Sequence, residues 1–294
     1  MDLFVDCRYG IAGDMMLAAL IDLGADISYI KSELAKLPIE NFSMDVISKN
    51  EKGITASYLV VELANGMEEA YSNEEEAGHT HHRHSHKHSH VHEHGQSHHH
   101  HHHEHTHFHV DGNLHHQHSD HEHHHSHHHA KAIIQMIESS QLPDRVKARS
   151  VQLFTEIARA EGKIHGLPID DVHFHEVGAM DSIIDIIGVC LALENLGVEQ
   201  LVFNKPAVGH GWIEIAHGLY PIPAPATAEI LVGVPLALFS CEGELTTPTG
   251  AAFAKVLAHS YSEVPCGTIE KIGYGAGTKA FNHPNILRVI AVKK

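Results

Sequence analysis

Apolar and polar positions alternate along this chain in a way that marks out most of its elements. Leu3 to Asp6 is a short apolar run that reads as a buried strand. It leads into a glycine-bearing turn, Cys7-Arg8-Tyr9-Gly10-Ile11-Ala12-Gly13-Asp14. From Met15 to Leu23 apolar residues recur at helical spacing, and Gly24 supplies a stop. A second helix is expected from Ile27 to Leu37, ended by Pro38. Phe42 to Ser48 and Thr55 to Leu63 alternate as the arms of a hairpin around Lys52-Gly53.

Periodicity is lost from Gly66 to about His129 and then returns. Lys131 to Glu138 and Asp144 to Lys163 are helical by period, and Val172 to Glu176 is extended. Ser182 to Leu196 is a strongly apolar helix closed by Gly197. Leu201 to Phe203 and Trp212 to Ile215 read as strands. Pro225 to Leu231 and Thr249 to Ala258 read as helices, and Ile269 to Tyr274 and Ile286 to Val292 as closing strands. Interspersed helices and strands predict a mixed α/β layered body with a long disordered histidine-rich insertion. The parts are residues 1–66, the insert 67–129, and the main body 130–294.

Composition explains the gap. Of the 294 residues 35 are histidine, and 28 of these lie between His79 and His129. Such a segment has too little apolar surface to offset its ordering entropy. It has the composition of a metal-binding tract, since imidazole is a common ligand of nickel, copper, zinc and cobalt. The run His98, His99, His100, His101, His102 and His103 is its densest part. With three or four rings per ion, the tract could hold roughly seven to nine ions. An internal, irregular tract of this length is not an engineered tag, and it is far denser than a linker needs to be.

The formal net charge is −17. Five acids and two bases lie between His79 and His129, so 18 bases and 32 acids remain, a formal −14. An acidic body without a basic stripe is a poor partner for nucleic acid. Cys7, Cys190, Cys241 and Cys266 form no Cys-x-x-Cys and suit a reducing compartment. The most apolar stretch, Ile183 to Leu193, is too short to cross a bilayer, and the first residues carry no signal-type core. The expectation is a cytoplasmic protein that does not engage a membrane.

Three segments offer chemistry. In His173-Phe174-His175-Glu176 the two imidazoles share a face if the segment is extended, and Asp181 or Asp185 could complete an open metal site. Asp181 and Asp185 share a helix face, but Ser182 with Asp185 also fits a capping box. Gly10, Gly13 and Asp14 sit between strand and helix, where free backbone N–H groups could meet an anion. Asp14 could equally serve the helix dipole, and Cys7 could supply a thiolate. Prolines around Pro221 to Pro225 place His217 at a bend. The crowded start Glu242 to Gly250 reads as site or cap, and Gly273, Gly275 and Gly277 imply close backbone approach. No P-loop occurs, which excludes the P-loop GTPases of nickel enzyme maturation.

These segments together resemble the nickel-insertion proteins of the nickel-pincer cofactor pathway, the LarC family. The likeness runs through Gly10-Ile11-Ala12-Gly13-Asp14-Met15, His173 to Ala179, Asp181 to Asp185 and Ala216-His217-Gly218. It continues in Pro223 to Thr227, Thr247 to Ala252 and Gly273 to Gly277. After Cys7 the family usually has Phe-Ser, whereas Arg8-Tyr9 stands here, so Arg8 reads either as a phosphate contact or as a local substitution.

The resemblance implies a nickel chelatase of the lyase class. Ni(II) would enter pyridinium-3,5-bisthiocarboxylic acid mononucleotide, with CTP and a divalent metal bound through a C-terminal domain or partner polypeptide absent from this chain. The product would serve the lactate racemase apoenzyme. The tract is expected to concentrate nickel, and the body around His173, His175, Asp181 and His217 to accept it. Forming a carbon–nickel bond removes a ring proton, and His175 or Glu176 is the expected base. The alternative is a non-catalytic nickel metallochaperone or storage protein.

Overall fold

The computed structural model describes residues 1–63, 129–174, 180–239 and 241–293. By its internal contacts the chain divides into one unit, Met1–Glu68 with His124–Lys294, and a second, Glu69–His123. The second unit, with its histidine run, lies outside the described residues.

The elements follow the apolar pattern closely. In order they are β1 (Asp2–Asp6), α1 (Gly13–Leu23), α2 (Ile27–Leu34), β2 (Phe42–Glu51) and β3 (Ile54–Leu63). Next come α3 (Ala130–Ser139), α4 (Asp144–His165), a 3-10 turn (Ile169–Asp171), α5 (Met180–Asn195) and β4 (Gln200–Phe203). They are followed by β5 (Gly209–His210), β6 (Trp212–Ile215), β7 (Gly218–Pro221) and α6 (Pro225–Ile230). Last are β8 (Gly243–Glu244), α7 (Pro248–Ala252), a π-helical turn (Phe253–Leu257), β9 (Ser260–Tyr261), β10 (Thr268–Ala276) and β11 (Ile286–Lys293).

Seven strands form the central sheet in the order β2-β3-β10-β11-β1-β4-β9. β1, β4 and β9 run parallel, and β11 pairs antiparallel with β1, Asp6 opposite Arg288. β2 and β3 form the expected hairpin, its turn at Lys52 (φ 51°) and Gly53 (φ 91°). The body is therefore mixed α/β with a large sheet.

The sheet faces are set by alternation within β1. Leu3 and Val5 join the main core with α1 and α5, while Phe4 packs with Ile290 and Val292 in a smaller cluster. α5 buries Ile183, Ile184, Ile186, Ile187, Val189 and Leu191 and so is apolar on all sides, as a central helix must be. Each such side chain contributes about 1.5–3 kcal/mol by leaving water.

Two expectations need correction. The helix expected over Thr249 to Ala258 is α7 followed by a π-helical turn, where the Tyr261 hydroxyl donates to the Ala254 carbonyl at 2.6 Å. α5 begins at Met180, two residues ahead of Ser182, so Ser182 and Asp185 form no capping box. The Ser182 N–H instead bonds the Asp181 carboxylate at 2.8 Å.

Candidate functional site

The turn from β1 to α1 is locked by a second segment distant in sequence. Gly10 takes φ 99°, and a side chain there would collide with the Leu245 carbonyl. The Ile11 N–H donates to that carbonyl at 3.0 Å, and the Thr247 N–H donates back to the Ile11 carbonyl at 3.2 Å. Thr247 caps α7 by accepting from the Gly250 N–H at 3.2 Å, and Gly250 itself packs on the Ile11 carbonyl. Gly10-Ile11 and Thr247-Pro248-Thr249-Gly250 thus form one interlocked corner.

Carboxylates gather at the start of α1. Asp185 of α5 presses on Gly13, where any Cβ would clash with its side chain. Burial pushes the Asp185 pKa well up, with the charges of Asp14 and Asp181 adding to the effect. Burial likewise raises Asp14 to about 6, against backbone N–H groups and Lys49, which favour its charged form. Lys49 is itself held by the Gly277 carbonyl at 2.6 Å, by Glu51 at 3.0 Å and over the Tyr58 ring at 5.0 Å. This end of α1 thus carries negative charge, which suits a proton or a cation better than an anion. A carboxylate titrating near neutrality can exchange a proton there.

The histidines of the folded unit are distributed otherwise. His173 pairs with His129 through an antiparallel bridge, their ring centroids 3.6 Å apart. His217 lies between β6 and β7, 5.1 Å from the His165 ring, and His165 meets Glu161 at 3.3 Å. His173, Asp181 and His217 do not converge: among the described residues no three His, Cys, Asp or Glu side chains form an ion-binding group. His175, Glu176 and His98 to His103 lie outside the described residues.

A cavity of about 760 Å³ opens where β1, β4 and β9 end. Asp6 ends β1 and Arg8 follows it, Asn204 and Lys205 follow β4, and Glu263 follows β9. Buried Asp6 ties Arg8 (3.1 Å) to Arg288. Tyr9, Phe239 and Tyr274 supply aromatic wall. Beside it the His283 ring lies 4.8 Å from Tyr9 and 5.1 Å from Phe239, and its Nδ1 is 3.7 Å from Cys241 Sγ. Burial, helped by the Lys52 charge, lowers the His283 pKa, so the ring stays neutral.

The family model described as nickel insertion protein matches residues 3–294. This chain belongs to the nickel insertion protein family. Relatives named pyridinium-3,5-bisthiocarboxylic acid mononucleotide nickel insertion protein occur in Staphylococcus epidermidis, 46% identical over 98% of this chain and 58% of that protein. The namesake of Staphylococcus saprophyticus is 44% identical over 98% of this chain and 59% of that protein. That of Geobacillus kaustophilus is 39% identical, with the same two shares. The chain spans about three fifths of the length of these curated relatives. No solved structure matches it significantly.

In this chain Cys7 does not offer a thiolate. It is buried, its S–H donates to the Asn204 carbonyl at 3.1 Å, and burial with the neighbouring Asp6 charge pushes its pKa far up. Cys190 is inert core, as its apolar helix implies, with a pKa raised to about 11 by burial. The cavity is not legible in the sequence because its walls come from seven separate stretches of the chain. Arg8-Tyr9 was the one signal. No described helix is long and apolar enough to cross a membrane.

Proposed function

We propose that the chain delivers Ni(II) to pyridinium-3,5-bisthiocarboxylic acid mononucleotide and takes part in its insertion. The observation that carries this reading is the colinear match, 44% identity over 98% of the chain, to a protein named for that reaction. The tract between His79 and His129 concentrates nickel, and the folded unit receives the mononucleotide. CTP and a divalent metal act through a further domain or partner polypeptide, and the product goes to lactate racemase.

Carbon–nickel bond formation expels a ring proton, so a base is required. His175 and Glu176 are the candidates, and the raised pKa of Asp14 supports a role for the α1 end in passing that proton on. His173 and His175 are the proposed nickel contacts of the body. The storage reading is favoured by one feature, the 28 histidines of the tract.

An insertion assay with nickel, CTP and the mononucleotide, run with the full-length protein and with residues 79–128 deleted, separates the readings. At saturating nickel the deleted protein is expected to retain most of the insertion rate. Loss of all insertion at saturating nickel would leave the tract as the functional part and point to storage. A second arm replaces His173 and His175 together by alanine; full insertion by that variant at limiting nickel removes both from the reaction.

A further inference from the structure

The cavity at the strand ends has the features of a seat for a charged aromatic ligand, and nothing above assigns it one. We propose that it binds the pyridinium mononucleotide, with the phosphate on Arg8, Lys205 and Arg288 and the ring against Tyr9 and Phe239. The choice of this substrate rests on the functional reading above; the site itself rests on geometry.

Four observations carry the assignment. The volume, about 760 Å³, is that of a small-molecule site. The cavity lies at the carboxyl ends of the parallel strands β1, β4 and β9, where open α/β sheets place their ligands. Its lining holds three cations against the two acids Asp6 and Glu263, in a chain of formal charge −17. Such a local reversal of sign attracts an anion that the rest of the surface repels.

The last observation is how the cations are held. Asp6 is 3% exposed and accepts from both Arg8 and Arg288, so one buried carboxylate fixes two guanidinium groups at the cavity edge. Each guanidinium has five N–H donors, and Asp6 does not use them all. Arg8 also donates to the Glu263 carbonyl at 3.4 Å, and the donors left over on the two guanidinium groups can serve a phosphate. Lys205 pairs with the exposed Glu263 at 2.5 Å and can turn to an incoming anion at little cost. The ring of the ligand is a cation, which aromatic faces attract.

The test uses the 294-residue chain and nicotinic acid mononucleotide, a pyridinium carboxylate carrying ribose 5′-phosphate, in isothermal titration. Inorganic phosphate and nicotinic acid serve as half-ligand probes. The mononucleotide is expected to bind, and each half to bind more weakly. Arg8→Gln and Lys205→Gln are each expected to weaken it about tenfold or more, as the loss of a hydrogen bond to a charged group does. Both side chains are surface-exposed at 51% and 42%, so melting temperatures should hold. Phe239→Leu tests the ring wall separately from the charges.

Failure of the wild-type chain to bind the mononucleotide overturns the proposal. So does equal binding by wild type and both charge variants. If the full-length wild type binds the mononucleotide but inserts no nickel, the functional reading fails and the site stands. If R8Q and K205Q insert nickel as fast as wild type at limiting mononucleotide, the site fails and the function stands.

Discussion

Pressing a carboxylate against a helix start takes away the water that would hold its charge, and Asp185 shows the result. Its raised pKa has three causes, burial first and then the charges of Asp14 and Asp181. Asp14 is raised to about 6. In the unfolded chain an aspartate titrates near about 3.9. Between the two values the folded state binds more protons than the unfolded one, so stability falls as pH rises. The contribution is fully present below the unfolded pKa and is lost as pH climbs through about 6 for Asp14, and higher still for Asp185. Asp185→Asn keeps the shape and removes the charge. It is expected to raise the melting temperature by a few degrees at about pH 8 and hardly at all at about pH 4. Melts of both proteins at both pH values check this, and taking differences cancels the tract. A variant destabilised equally at the two values would show that shape, not charge, governs the position. Sequence alone paired Asp185 with Ser182, its neighbour, because the partner that matters, Gly13, lies far away along the chain. Arg8 shows the same limit: its pairing with Asp6, which also holds Arg288 from the far end of the chain, appears only in the fold.

At the scale of elements, strong periodicity carried over into structure. β1, α1, α2, the β2–β3 hairpin, α3, α4 and α5 occur within a few residues of their expected bounds. The two-residue strands β5, β8 and β9 escaped notice because partners, not local pattern, define them. β9, for instance, exists through its pairing of Ser260 with Val202 and Tyr261 with Phe203. The alternate glycines of β10 and the turn after it were legible as close approach, and the structure supplies the approaching backbone. A Cβ at Gly273 would strike the Ala19 carbonyl, and one at Gly275 the Met15 carbonyl, both on α1. α1 therefore lies flush on the sheet with no side chain between them. Gly275→Ala is expected to cost about 3 kcal/mol or more, the upper range for overpacking against a surface that cannot yield. Chemical denaturation at constant slope would measure it. A loss under about 0.5 kcal/mol would mean that α1 slides freely on β10.

At the scale of the whole molecule, the histidine tract and the buried core occupy different stretches of sequence, so nickel capacity and folding stability are expected to separate. The body buries its core in α1, α5 and the sheet, none of which includes residues 79–128. The tract adds 27 of the 35 histidines over those residues, all at positions outside the described structure. Deleting residues 79–128 while keeping His129, which pairs with His173, is therefore expected to leave the melting temperature within about 2 °C of the intact protein. The same deletion should remove most of the nickel bound at neutral pH, as equilibrium dialysis would read. Solvated imidazoles titrate near about 6.5, and a protonated ring cannot ligate. Loading of the intact chain is thus expected to fall steeply between about pH 7 and about pH 5. The deleted chain holds few such ligands, so whatever nickel it retains should follow a different profile. Identical pH profiles for the two proteins, or equal nickel counts at neutral pH, would place the nickel in the body and leave the tract without a role in loading. A separate store on the same chain makes physical sense for an insertion reaction: many weak, open sites release their ion to a stronger sulfur donor, whereas one closed site would keep it.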